Sequence, residues 1–221
     1  MGQVRLYLDQ PLGEGQTLSL DRPRAHYLFG VMRLGKGDRL FVFDGRSGEW
    51  QAEVTEAGKR GGALRCLRPT RPLQPPPDLW LLFAPIRKAR TDFIVEKAVE
   101  LGAARLLPVL TEFTNAERVN RERLQAHAVE AAEQCGATVV PEVAAPMRLG
   151  ACLAQWPAER RLMLCDEARA GASGALPEVR GPWAILIGPE GGFSDAERTR
   201  LHALPQAVPV ALGPRILRAD T

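Results

Sequence analysis

Two hydrophobic grammars run along the chain, and they change over near residue 75. Before that point, apolar residues come in short runs at 5–8, 16–20, 39–43, 50–54 and 63–67, each bounded by turn residues. Runs of this length, alternating in part with polar side chains, predict half-buried strands. Gly37-Asp38 opens the third run, Asp44-Gly45 closes it with a strong hairpin signal, and residues 58–62 turn before the last. Residues 23–32 predict one helix with Tyr27, Leu28 and Val31 on its apolar face. Short strands with turns at this spacing predict a small β-barrel. Residues 68–77 then hold five prolines in ten positions, the composition of a semi-rigid polyproline linker. The domains expected are therefore 1–72 and 78–221, with 68–77 as the linker.

From Asp78 strands and helices alternate. Strands are predicted at 79–84, 105–110, 138–143, 162–165, 183–187 and 208–212. Between them, a helix runs over 91–101 with Thr91 as N-cap and Gly102 as its stop, and a longer one runs from Asn120 to Gly136. A short helix covers 149–156, and a last one extends to about 204. This order predicts an α/β domain, a parallel sheet with helices on both faces.

The densest signal follows the strand at 183–187, five apolar residues read as buried on both faces. It continues as Gly188-Pro-Glu-Gly-Gly-Phe-Ser-Asp-Ala-Glu197, in which Ser194 and Glu197 form a capping box. The segment is thus strand, glycine turn, helix start. Glycines at 188, 191 and 192 let backbone N–H groups approach a bound molecule, and the carboxyl end of a parallel strand is where α/β sheets bind ligands. A tight turn that binds nothing is the alternative. The loop matches neither G-x-G-x-x-G nor Walker A, and a carboxylate at Glu190 repels pyrophosphate, so a ligand without phosphates suits it better.

Composition is that of an ordinary globular protein. No apolar run reaches bilayer length, the N-terminus lacks the apolar core of a signal peptide, and the four cysteines are scattered as in a cytoplasmic protein. Neither a disulfide framework nor a metal site is expected from them or from His26, His127 and His202. The net charge of +3 is unevenly spread: 12 Lys+Arg against 8 Asp+Glu through Gln74, then 17 against 18. A basic first half points to a polyanion partner, although solvated surface arginines at 22, 24, 33, 39 and 46 explain the excess equally well.

Gly188-Pro-Glu-Gly-Gly-Phe, followed by Leu212-Gly-Pro-Arg-Ile-Leu-Arg218, resembles the RsmE-type 16S rRNA methyltransferases of the SPOUT superfamily. Glu96-Lys-Ala-Val-Glu-Leu-Gly102, Glu130-Ala-Ala-Glu-Gln-Cys-Gly136 and Val140-Pro-Glu-Val143 are similar to that family as well. So is His26 with Val31-Met-Arg33 ahead of Gly37-Asp38 and Asp44-Gly45. The resemblance implies an N-terminal PUA-like barrel that binds RNA, then a SPOUT domain with a C-terminal trefoil knot, and a homodimer. It implies S-adenosylmethionine as methyl donor and N3 of one uridine in small-subunit (30S) ribosomal RNA as acceptor. The cofactor residues implied are Leu164, Ile187, Gly188, Pro189, Glu190, Gly191, Gly192, Leu212, Gly213, Ile216 and Leu217. The RNA residues implied are Arg24, His26, Arg33, Arg46, Arg87 and Lys88.

Uracil N3–H is a weak acid, so its proton leaves before or during attack, and a cation beside the uracil oxygens stabilises the charge that develops. Arg218 is the candidate for that cation, and a salt bridge closing the C-terminal loop is the alternative for the same residue. Glu190 is a candidate proton acceptor or, in the favoured reading, pins the loop through neighbouring N–H groups. No histidine lies in these motifs, so no histidine base is expected. The chain departs from the family at Phe113 and Ala137, where family members carry arginine. It also reads Ile216-Leu-Arg-Ala-Asp-Thr221 where the family continues into a helix that completes the knot and the dimer, so an omitted tail or a truncated form is expected. Rival readings are a SPOUT enzyme acting on a ribose 2′-hydroxyl or another base, and an inactive RNA-binding assembly factor. A dinucleotide oxidoreductase is disfavoured by the missing fingerprint.

Overall fold

The computed structural model describes residues 4–115, 119–165, 180–213, 215 and 217–221. It divides into two compact units, one of residues 1–75 with 132–140, the other of 76–131 with 141–221. No helix among the described residues is long and apolar enough to cross a membrane.

The first unit is built on a five-stranded sheet in the order β1-β3-β4-β5-β2. Its strands are β1 (Arg5–Tyr7), β2 (Thr17–Leu20), β3 (Arg39–Phe43), β4 (Glu49–Ala57) and β5 (Gly62–Arg71). β1 runs parallel to β3, and the other pairs are antiparallel. Alternate residues, Leu18 and Leu20, Leu40 and Val42, Ala52 and Val54, Leu64 and Cys66, are buried in one core with Leu6, Leu8 and Leu28. The period-2 pattern is thus spent on a single inner face.

Two expectations change here. β5 does not stop at 67 but runs through Arg71, taking in four residues assigned to the linker. Pro69 is accommodated opposite Trp50, beside a register shift at Glu49/Trp50, and such irregularities tolerate a residue without an N–H. Thr70 Oγ1 meanwhile donates to the Glu49 carbonyl at 3.0 Å. The single helix expected over 23–32 is instead a short α1 (Arg22–Ala25) running into a π-helical turn, His26–Val31. Asp21 caps α1 by accepting the Arg24 N–H at 2.9 Å. Within the turn, Gly30 leaves room for the His26 ring, since a Cβ there would stand 2.9 Å from its Nδ1. Arg33, just beyond, takes φ +58°, a conformation uncommon outside glycine.

Residues 132–140, the last turn of a helix ending at Cys135 and the loop after it, group with this unit. Arg5 serves them, donating to the carbonyls of Ala132 at 2.8 Å, Glu133 at 3.0 Å and Ala137 at 2.8 Å. Its Nε meets Glu49 at 2.8 Å. A cation here satisfies carbonyls that a helix end leaves without partners.

The second unit is an α/β layer. Six strands, all parallel, lie in the order β12-β10-β11-β6-β7-β8, and a short β9 also pairs with β7. They are β6 (Leu79–Phe83), β7 (Arg105–Leu110), β8 (Glu142–Val143), β9 (Met147–Arg148), β10 (Arg161–Cys165), β11 (Trp183–Ile187) and β12 (Ala207–Val210). The helices are α2 (Lys88–Glu100), α3 (Arg121–Cys135), α4 (Leu149–Ala154) and α5 (Asp195–Ala203). Leu82, Leu107, Val109, Leu162, Leu164, Ala184 and Leu186 form a core with Leu149 and Leu201 of α4 and α5. In β11 only Ala184 and Leu186 are fully enclosed, and Trp183, Ile185 and Ile187 are half-buried.

Helix α2 begins at Lys88, three residues before the expected cap. Thr91 is buried within it, and its hydroxyl accepts the Ile86 N–H at 3.0 Å and donates to the Ile86 carbonyl at 3.1 Å. The strand expected over 138–143 shrinks to Glu142–Val143. At its start, the Thr138 hydroxyl is taken by the Gln74 N–H at 2.9 Å. At the amino ends of the strands, Trp80 packs between two guanidinium groups, Arg160 at 3.6 Å and Arg105 at 5.1 Å. Arg160 also donates to the Trp183 carbonyl at 2.9 Å and to the Asp78 carboxylate at 2.8 and 3.0 Å. The opposite, carboxyl ends carry the candidate site.

Candidate active site

Strand β11 lies between β10 and β6, so the carboxyl ends of β10, β11 and β12 come together along one edge. There Cys165, Ile187 and Val210 floor a cleft of about 310 Å³. One wall is the turn from Gly188 to Phe193, another is 211–213, and residues 217–221 complete the lining with Arg215.

The turn is held from within and from beneath. Gly192 donates its N–H to the Pro189 carbonyl at 2.9 Å and takes φ +68°, for which glycine is suited. Gly188 must lack a side chain, because a Cβ would stand 2.9 Å from the buried Phe193 ring. The capping box forms as the sequence predicts: Ser194 Oγ accepts the Glu197 N–H at 3.3 Å, and Glu197 Oε2 accepts the Ser194 N–H at 3.1 Å. The other oxygen of Glu197 accepts the Glu112 N–H at 2.9 Å, tying the start of α5 to the loop after β7. The carboxylate seen bonded to loop N–H groups is therefore that of Glu197, whereas Glu190 is exposed at the tip of the turn.

Of the residues singled out from the sequence, Ile187, Gly188, Pro189, Glu190, Gly192, Leu212, Gly213, Leu217 and Arg218 all line this cleft. Leu164 does not. It points into the core, fully buried, and its neighbour Cys165 faces the cleft, as alternation along β10 requires. Gly191 is exposed and lies off the lining, and a Cβ there would come 3.4 Å from Phe113 Cβ. Ile216 lies outside the described residues. Among the lining residues that the sequence did not single out are Cys165, Phe193, Val210 and Asp220. The first three follow from strand alternation and from the bulk needed beneath Gly188, and Asp220 had no signal beyond its nearness to Arg218.

The cleft is mainly apolar below and charged at its rim. Burial pushes the Cys165 thiol up to about 11, so it is neutral at physiological pH. Asp220 is almost wholly enclosed, with Arg90 of α2 on Oδ2 at 2.5 Å and Arg218 Nε 3.5 Å from Oδ1. Apolar side chains, close-set backbone and this mix of carboxylates and guanidiniums suit a ligand with a flat apolar ring and a zwitterionic tail.

The residues expected to meet RNA fall in both units. Arg24, half-buried, pairs with Asp21 at 2.7 Å, and Arg46 pairs with Asp9 at 3.0 Å. The turn carrying Arg46 is fixed by buried Asp44, which accepts the N–H groups of Arg46 and Ser47 at 2.9 and 2.7 Å. His26 and Arg33 are exposed around the π-helical turn. Arg87 and Lys88 stand in the second unit, exposed at the start of α2.

Comparison with known proteins places this architecture. The RNA methyltransferase domain family matches residues 74–221, and the RNA methyltransferase PUA domain family matches residues 20–65. The ribosomal RNA small subunit methyltransferase E of Synechocystis is 34% identical over 212 residues, covering 93% of this chain and 69% of that protein. This chain belongs to the ribosomal RNA small subunit methyltransferase E family. The family enzyme of Rickettsia conorii is 26% identical over 98% of this chain and 90% of its own length. Among solved structures, ribosomal RNA small subunit methyltransferase E from Neisseria gonorrhoeae bound to S-adenosyl methionine is 28% identical. It aligns with a TM-score of 0.89 over 99% of this chain and 92% of that one. A Legionella pneumophila methyltransferase in complex with the cofactor SAM gives a TM-score of 0.90 at 26% identity, over 100% and 93%. The fold of this chain is thus α/β with a parallel sheet, preceded by a PUA domain.

Proposed function

We propose that this chain transfers the methyl group of S-adenosylmethionine to N3 of one uridine in small-subunit ribosomal RNA. The observation that carries the reading is the cleft at the carboxyl ends of β10, β11 and β12, walled by the glycine turn and floored by apolar side chains. Its residues fit the cofactor: Ile187, Val210, Leu212 and Leu217 offer an apolar slot for adenine, and the backbone of 188–192 offers N–H and C=O groups to its edge. The exposed Glu190 carboxylate disfavours a pyrophosphate beside the glycine turn. When bound there, S-adenosylmethionine supplies a methyl group activated by its sulfonium.

The chain's own part is positioning and charge stabilisation. Holding two reactants in line removes much of the entropic barrier to their meeting. The Arg218 guanidinium, exposed at the rim and anchored at Nε by Asp220, stands ready for the negative charge that uracil oxygens gain as N3–H loses its proton. The buried Cys165 thiol, neutral at working pH, adds no charge to the floor. In the same reading the first unit is a PUA-like barrel that grips RNA through Arg24, His26, Arg33 and Arg46, with Arg87 and Lys88 contributing from the second. The C-terminal segment is threaded as a trefoil knot, two chains pair as a homodimer, and the enzyme works in the cytoplasm.

Calorimetry with S-adenosylmethionine and with NAD should show binding of the first alone. Nucleoside mass spectrometry of ribosomal RNA from cells lacking this protein should then show loss of one 3-methyluridine. Loss of a 2′-O-methylated nucleoside instead, or no change at all, would refute the assignment.

A further inference from the structure

We propose that Phe113 is a stacking platform for a nucleobase of the RNA substrate, set beside the cofactor cleft. The inference rests on the reading of this chain as an RNA methyltransferase and adds a binding subsite to it. Phe113 follows β7, and β7, β6 and β11 are parallel neighbours in the sheet. The loops at their carboxyl ends therefore share one edge: the Phe113 loop after β7, the exposed Arg87, Lys88 and Arg90 after β6, and the glycine turn after β11. Phe113 stands close to the glycine turn. A Cβ built on Gly191 would lie 3.4 Å from Cβ of Phe113 and 3.7 Å from its Cγ. Gly191 in turn lies between Glu190 and Gly192, both on the cleft lining.

The backbone beneath this ring is fixed, while the ring itself is 43% exposed. Thr111 donates its N–H to Thr114 Oγ1 at 2.9 Å, and Thr114 returns its N–H to the Thr111 carbonyl at 3.2 Å. Glu112 donates to Glu197 at 2.9 Å, which locks the loop to the start of α5. A large apolar ring held in water on a rigid turn loses little further freedom when a flat partner covers it. The partner's chemistry follows from the reaction. N3 of uridine lies on the Watson–Crick edge, so the base has to leave its pairing and stacking to reach the cleft. An aromatic face at the cleft's lip replaces stacking lost by the target base or its neighbour, while cations after β6 suit the phosphates that come with it.

The test compares Phe113→Ala, Phe113→Leu and Phe113→Trp in the full chain. Affinity for small-subunit RNA is measured over a series of salt concentrations, alongside calorimetry with S-adenosylmethionine, a melting curve and light scattering. Stacking on one base predicts that alanine weakens RNA binding about 5- to 100-fold. The log–log salt slope should stay unchanged, because no phosphate contact is lost. Tryptophan should restore the affinity and leucine should not. Full recovery by leucine would overturn the proposal, since the ring would then be apolar packing on Gly191. A changed oligomeric state in the alanine variant would overturn it too, assigning the ring to contact between copies. RNA affinity unaltered in all three variants would sink the platform and leave the proposed reaction standing. A wild-type chain that bound neither S-adenosylmethionine nor RNA would remove the reaction as well.

Discussion

Arg218 Nε stands 3.5 Å from Oδ1 of Asp220, a carboxylate that is itself only 6% exposed. Arg90 occupies the other oxygen, so Asp220 orients Arg218 from one side and is held in place from the other. The salt bridge and the catalytic role, alternatives when read from sequence, are compatible in the structure. The guanidinium is tethered at Nε and is itself 68% exposed, so solvent screens its side of the pair and limits what the pair adds to stability.

Arg218→Ala should therefore lower the single-turnover methyl-transfer rate by about 10²–10³, the usual loss for one stabilising donor. Affinity for S-adenosylmethionine and the melting temperature should change little. Lysine keeps the charge and loses the planar fork, so Arg218→Lys should recover only part of the rate. A normal rate in a well-folded alanine variant would remove Arg218 from the chemistry.

The two faces of the glycine turn should respond differently to a methyl group. Gly188→Ala forces Cβ to within 2.9 Å of the Phe193 ring, and the turn has to move. Gly191→Ala places its Cβ at an ordinary 3.4 Å from Phe113, and Gly191 is not among the cleft-lining residues. Calorimetry should show cofactor affinity falling at least tenfold for the first (roughly 1.4 kcal/mol) and much less for the second. Equal losses would mean that the cofactor reaches across the turn to Gly191.

RNA affinity should fall steeply with added salt, through counterion release. Replacing Arg24 and Arg33 together should flatten the log–log slope by about two units if each meets one phosphate. The ion pair that Arg24 forms with Asp21 is no obstacle, since it is surface-exposed and easily exchanged. An unchanged slope would place the RNA elsewhere.

Cys165 gives the cleft a pH signature. Burial raises its thiol to about 11, above the ordinary value of 9.0, so the folded chain holds this proton more tightly than the unfolded one. The associated stability is fully present below about 9 and is lost as pH rises toward 11. Alkylation of Cys165 should accordingly be slow at neutral pH, should accelerate only in that alkaline range, and should be blocked by S-adenosylmethionine. Fast alkylation at pH 7 would show that the cleft floor is open to solvent.

Much of this was legible from local pattern. The capping box at Ser194 and Glu197, strands β3 and β11, and the glycine turn after β11 all depend on residues adjacent in sequence. What was missed depends on partners distant in sequence. Phe193 is needed to explain Gly188, Glu112 completes the bonding of Glu197, and Gln74 takes the Thr138 hydroxyl in what read as a strand. Leu164 and Cys165 were exchanged because alternation gives two phases, and only the packed sheet decides which one faces the cleft. Pro69 read as linker because the bulge that admits it into β5 belongs to the pairing with β4.

The central claim is tested most directly by incubating the purified chain with small-subunit RNA and S-adenosylmethionine carrying an isotopically labelled methyl group. The RNA is then digested and its nucleosides resolved by mass spectrometry. The account predicts the label in 3-methyluridine at a single site, reduced by Gly188→Ala at limiting S-adenosylmethionine and strongly slowed by Arg218→Ala. Label on a ribose 2′-oxygen or another base, or no transfer from a chain that binds both partners, would contradict it.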